Sequence, residues 1–361
     1  MPGPLNARLA AGAAVACLLL AACRPSSGTA PAPGLSPGMT LPAPARQALA
    51  RVELPPVAGR TGSVDIMAID QSAHRLYAAD HTDHGIDVVD VSGPAGRYLK
   101  TIPLSGDPNG VVVAEDLRLV FTGNVDATVS VIDVDPASPA RDQVVATLET
   151  RGFGADELAY DPSRGKVFVA SGKDGSVTVI DAAAKRIVAK LTQLGALQAP
   201  AYDPIDRLVY VAGVERNVIY RIDPTENRVS AAFRIPVSCG PHGIAINPTT
   251  HEGIIGCGTT EAPLVIGWDF RAGRALSIFH QTGAGDVALY DPRADRFFFA
   301  AVNLPDPQVA VFSGSPLAFL GAVATGPKSR SLAYDEAHGL VYTFDGKPKE
   351  GGLWSFPDPW R

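Results

Sequence analysis

APAYDPIDRLVYVAG, from Ala199 to Gly213, is the stretch whose reading decides the fold. A short apolar run ends at Asp203, a proline-containing turn follows, and a second run of β-branched and aromatic residues comes next. Two strands joined by a tight turn have this composition. The same grammar returns without gaps in GIAINPTTHEGIIGC (Gly243 to Cys257), VALYDPRADRFFFAA (Val287 to Ala301) and SLAYDEAHGLVYTFD (Ser331 to Asp345). Their turn residues Asp203, Asn247, Asp291 and Asp335 stand 44 positions apart. Three upstream segments fit with small shifts: IMAIDQSAHRLYAAD (Ile66 to Asp80), GVVVAEDLRLVFTGN (Gly110 to Asn124) and ELAYDPSRGKVFVAS (Glu157 to Ser171). That makes seven copies.

Each copy continues into a third strand, such as TVSVID, SVTVID or NVIYRID, and then a fourth, such as VVATLE, IVAKLT or VSAAFRI. Four antiparallel strands repeated seven times describe an all-β, seven-bladed β-propeller. A solenoid would use shorter repeats and parallel strands. The last copy holds only three strands: SLAYD, LVYTF and GGLWSF. LARVELPPVAG (Leu49 to Gly59) precedes the first copy and supplies the fourth. The ring is therefore expected to close by pairing this segment with GGLWSF (Gly351 to Phe356), covering two sheet edges. Ala68, Ala159, Ala201, Ala245 and Ala333 recur in the first strand of their copies, as crowded innermost strands require.

Ahead of the ring the chain has a different character. Arg8 precedes an apolar run from Leu9 to Ala22, and Cys23 closes it, the layout of an export signal. Residues 23–47 are rich in Pro, Ala, Ser and Gly and read as a flexible tether. The expected organisation is a leader over 1–22, the tether over 23–47 and the propeller over 48–361. Formal net charge is −6, and no basic stretch is present, which argues against nucleic acid as a partner.

The second and third strands, RLYAAD, KVFVASG and RLVYVAG followed by TVSVIDVD and SVTVIDAA, resemble those of the YVTN-repeat propellers over roughly Leu49 to Phe356. The resemblance implies an exported bacterial binding protein. Related propellers include lactonases and periplasmic proteins that handle d1-type haem. The tetrad Leu20-Ala21-Ala22-Cys23 resembles the lipobox of bacterial lipoproteins, which implies a lipid on Cys23 and attachment to a membrane of the cell envelope. Arg24, not aspartate, follows the cysteine, and by that resemblance the outer membrane, facing the periplasm, is favoured. Trp268-Asp269 is a lone pair without a repeated Gly-His partner, so it is no WD-repeat signature. Covalent haem, P-loop, nucleophile-elbow and zincin motifs are absent from the sequence.

The residue three before the recurrent alanine position marks each inner-strand entrance. These are Asp65, Asn109, Asp156, Gln198, His242, Asp286 and Arg330. All are polar, and in a propeller they encircle one mouth of the central channel. Such a ring can bind a small ligand or a divalent cation, hold an anion through Arg330, or simply be solvated. His81 and His84, three apart in the loop DHTDHG, have a spacing that can chelate a metal. Cys239 and Cys257 bracket the first two strands of the fifth copy. They can form a disulfide, remain buried thiols, or join His242 around a soft metal. No nucleophile–base pair is recognisable. A binding or scaffold module acting on a small ligand or an envelope protein is the leading reading. The alternative is a metal-dependent hydrolase of the lactonase type, or a cofactor-handling protein, using Asp65, Asp156, His242 and Asp286.

Overall fold

The computed structural model describes residues 50–54, 62–346 and 352–361. The leader, Cys23 and the tether lie outside the described residues. The described chain forms seven four-stranded antiparallel sheets. Blade 1 is β2 (Val64–Asp70), β3 (Arg75–Asp80), β4 (Gly85–Asp90) and β5 (Arg97–Pro103), in that order from the channel outward. Blades 2 to 6 repeat this simple meander. Their inner strands are β6 (Pro108–Ala114), β10 (Leu158–Asp161), β14 (Leu197–Asp203), β18 (Pro241–Ile246) and β22 (Ala288–Asp291).

The recurrent acidic turn residues are structural. Asp70, Asp161, Asp203, Asn247, Asp291 and Asp335 are all buried. In each, Oδ1 accepts a backbone N–H two or three residues on, as in Ser163 to Asp161 at 2.9 Å and Arg293 to Asp291 at 2.8 Å. The side chain thereby replaces a backbone turn bond, which explains why the residue recurs at this spacing. Blade 2 has Ala114 there, and a 3-10 turn over Glu115–Leu117 takes its place.

Between the blades the strand period of two does the packing. On β3, Leu76 and Ala78 face blade 7, while Tyr77 and Ala79 face blade 2. Seven buried clusters arise this way, one between each pair of adjoining blades. Ala159, Ala245 and Ala333 are among the buried inner-strand residues.

Closure follows the expected route. Blade 7 comprises β26 (Leu332–Asp335), β27 (Leu340–Asp345), β28 (Gly352–Pro357) and, as outermost strand, β1 (Ala50–Val52). Ala50 pairs with Ser355, Arg51 with Trp354 and Val52 with Leu353. Val52 is buried in the cluster that joins blade 7 to blade 1, beside Val89, Tyr342 and Leu353.

Candidate functional site

The inner strands do not run straight into the top of the ring. In β2, β6, β14 and β18 the pairing register slips at Val64/Met67, Pro108/Gly110, Gln198/Ala201 and Pro241/Ile244. Each slip contains or borders one entrance residue: Asp65, Asn109, Gln198 or His242. A bulge re-aims the side chain it carries. In blades 3, 6 and 7 the entrance residues Asp156, Asp286 and Arg330 precede the regular strand. Asp156 and Asp286 are fixed there by their own N–H groups, which donate to Ala170 O at 2.9 Å and Ala300 O at 3.1 Å.

Several of these side chains share one space. Asp156 and Asp286 both feel the charge of Asp65, and Asp156 also feels that of Asp286. The three stand on blades 1, 3 and 6, which do not adjoin, so their charges act on one another across the channel. All three are half-buried. Burial, followed by the Asp65 and Asp286 charges, pushes Asp156 up to about 7. Burial and Asp65 push Asp286 up to about 6, against the opposing pull of His242 and Arg330. A fourth carboxylate, Glu157, is held well above the ordinary range by burial and then by Asp286 and Asp156. Sequence reading passed over Glu157, although it left a signal. The position after each entrance is otherwise Ile66, Gly110, Ala199, Gly243, Val287 or Ser331, never an acid.

The remaining ring members serve these acids or the scaffold. Gln198 Nε2 donates to Asp156 Oδ2 at 3.2 Å. Asn109 Nδ2 donates to Ala155 O at 2.9 Å, tying blade 2 to blade 3. The charge of Arg330 pulls against that of Asp286 at the same mouth. His81 reaches Asp65, Nε2 to Oδ2, at 3.5 Å, and this contact is the main cause that raises its proton affinity. His84 turns instead to Asp107. The two rings of the DHTDHG loop thus bond to different carboxylates. Among the described residues, the groups of three or more ligand-type side chains within 4.8 Å are Asp80/Asp83/Asp87 and Asp203/Asp206/His251. Neither contains His81, His84 or a ring residue. The second group, on the opposite face, is satisfied internally: His251 bonds Asp203 at 2.7 Å and Tyr210 donates to Asp206 at 2.7 Å.

The segment SCGPHG is tied down on every side. Cys239 and Cys257 form a disulfide with Cα atoms 4.7 Å apart, and both are fully buried. Asn217 Oδ1 accepts from the N–H groups of Cys239 (3.1 Å) and Gly240 (3.2 Å), while its Nδ2 donates to Val237 O at 2.8 Å. His242 Nδ1 bonds Gly240 O at 2.8 Å. The imidazole lies over Gly258, where a Cβ would come within 2.4 Å of the ring. His242 is therefore held rigidly. Beside it, a groove of about 700 Å³ runs along the top face between blades 4 and 5, lined by Val214, Asn217, Arg234, Ser238, His242 and Thr259.

Comparison with solved structures agrees with this architecture. The chain is similar to the WD40 repeats of RRP9, with a TM-score of 0.68 and 15% identity, over 86% of this chain and 96% of that one. A chain of the mitotic checkpoint complex matches at 0.68 and 13%, over 88% and 98%. The structure of U3-55K matches at 0.68 and 15%, over 86% and 98%. The chain is a seven-bladed β-propeller. At these identities the likeness is one of fold, reached without the repeated WD signature. No protein-family model matches the chain, and no curated protein matches its sequence.

Proposed function

We propose that this protein is a lipid-anchored binding module of a bacterial cell envelope. On this reading its channel mouth captures a ligand that presents an ammonium or guanidinium group. The observation that carries the reading is that Asp65, Asp156, Glu157 and Asp286, from three blades, act on one another at the channel mouth, with burial first and mutual repulsion second raising the proton affinity of three of them. Like charges forced together favour either protons or an incoming cation. A ligand cation relieves the repulsion and displaces the protons. The groove beside His242 offers room for the rest of the ligand.

Spermidine serves as the cationic probe and glutarate as the anionic control. Spermidine should bind the parent protein, and Asp65→Asn/Asp286→Asn should weaken that binding at least tenfold, on the order of 1.4 kcal/mol or more. Equal binding by both proteins, or preference for glutarate, would sink the proposal.

The envelope location rests on the residues ahead of the ring, on the resemblance to exported YVTN-repeat propellers, and on the buried Cys239–Cys257 bond, which suits an oxidising compartment. Metabolic labelling with a fatty acid should mark the parent and leave Cys23→Ala unlabelled and released from the membrane fraction. Persistent membrane attachment of that variant would remove the lipid anchor from this account.

A further inference from the structure

Blade 1 departs from the other blades at one position inside its third strand. Asp87 stands in β4 where the corresponding strands carry residues such as Ser130, Thr178 and Tyr220, and never a carboxylate. The end of β3 carries Asp80, where blade 2 carries Asn124. Blade 2 shows what this location normally needs: Asn124 Nδ2 donates to Ser130 Oγ at 3.0 Å, a neutral donor meeting an acceptor in a buried place. In blade 1 both members are acceptors.

Asp80 and Asp87 are 4% and 0% exposed, so water cannot resolve the conflict. Asp80 Oδ1 accepts from Thr82 N at 2.6 Å, and Asp87 Oδ1 accepts from Thr101 Oγ1 at 2.6 Å. Asp87 Oδ2 is buried with no hydrogen-bond donor. The charges of Asp80 and Asp83 bear on Asp87, and ligand oxygens of all three lie within 4.8 Å of one another. Two buried acceptors in contact require a shared proton or a cation between them.

We propose that Asp80, Asp83 and Asp87 form a binding site for a hard divalent cation of the calcium class. The donor set is all oxygen and all anionic, which disfavours soft metals. The spacing suits oxygens ranged around calcium at about 2.3–2.6 Å each, with backbone carbonyls, and water on the half-buried Asp83 side alone, completing the shell. Asp83, only half-buried, provides the way in from the surface. The cation would brace the loop that carries His81 and His84. This site is separate from the channel mouth, shares none of its carboxylates, and does not depend on the reading of that mouth.

The test uses the full chain, stripped with chelator and titrated with calcium chloride alone, then with magnesium chloride. One calcium per chain is expected to bind, raising Tm by about 5 °C at saturation. Asp80→Asn/Asp87→Ser copies the blade 2 pair. It should fold, melt in chelator no lower than the stripped parent, and show no calcium response. Asp65→Asn/Asp286→Asn should keep the full calcium response. Two outcomes would overturn the site. One is a parent with no saturable binding and no Tm shift, in which case Asp87 keeps a proton. The other is a response that survives in Asp80→Asn/Asp87→Ser and is lost in Asp65→Asn/Asp286→Asn, which would move the ion to the channel mouth.

Discussion

Val52→Asp is expected to lower the unfolding free energy by about 4 kcal/mol or more, enough to unfold a marginal domain near body temperature. Val52 is 3% exposed at the end of a strand only three residues long. It packs where Gly96 leaves room, since a Cβ there would come within 2.6 Å of Val52 Cγ2. Among the described residues its strand is what pairs with the outer edge of β28. A carboxylate at this point would be buried without a partner and would loosen the seam between blades 7 and 1. Because every blade packs on two neighbours, opening one seam exposes two apolar faces together. Val144→Asp is the control: Val144 sits on β9 (Gln143–Glu149), an outer strand, and is 37% exposed. Denaturant melts should separate the two variants clearly. A Val52→Asp protein as stable as the Val144→Asp protein would mean that β1 does not close the ring.

Asp156→Asn should act in the opposite direction, with a gain that grows from about pH 4 and levels off above about pH 7. Asp156 titrates at about 7 in the fold, against about 3.9 for an unfolded aspartate. The folded state therefore holds the proton more tightly than the unfolded state. Below about pH 4 both states are protonated and the group costs nothing. As pH rises toward 7 the unfolded chain loses its proton first, so stability falls, and the full penalty is present above that point. Asparagine removes the penalty and can still accept from Gln198. The gain should be on the order of 2–4 kcal/mol at about pH 8 and negligible at about pH 4. His81 adds a smaller trend of the same sign, because its raised proton affinity stabilises the fold only while it is protonated. Unfolding free energies of parent and variant across this pH range check the claim. Parallel pH profiles would mean that Asp156 is not crowded by its neighbours.

The blade count, the strand order and the closing strand were legible because each rests on local chemistry that must repeat. An aspartate capping its own turn recurs wherever a blade turns, and an alternating strand recurs wherever two blades pack. The positions of the entrance residues could be read by their offset from the recurrent alanine. That they face a common channel mouth follows from the blade count, whereas the bulges that carry Asp65, Asn109, Gln198 and His242 could not be read, because no local pattern announces them. Glu157 was missed because it lies one place beyond the position being compared, although it breaks an otherwise non-acidic column. Asp87 was missed for a related reason. It sits inside a strand whose alternation looks ordinary, and only comparison with Ser130 and Thr178 shows that a neutral partner has become a charge. The spacing of His81 and His84 suggested a shared ligand. In the structure the two rings lie on different carboxylates: His84, in a left-handed conformation with φ of 53°, on Asp107, and His81 on Asp65.

The most direct test of the channel mouth is calorimetric titration of the full chain with spermidine in two buffers of different ionisation enthalpy, at about pH 6 and about pH 8, on either side of the Asp156 value. The account expects protons to be released on binding at the lower pH, little release at the higher, and affinity that rises between them as Asp286 and Asp156 ionise. Binding that is independent of pH and moves no protons would contradict it, because the crowded carboxylates would then play no part in capturing the cation.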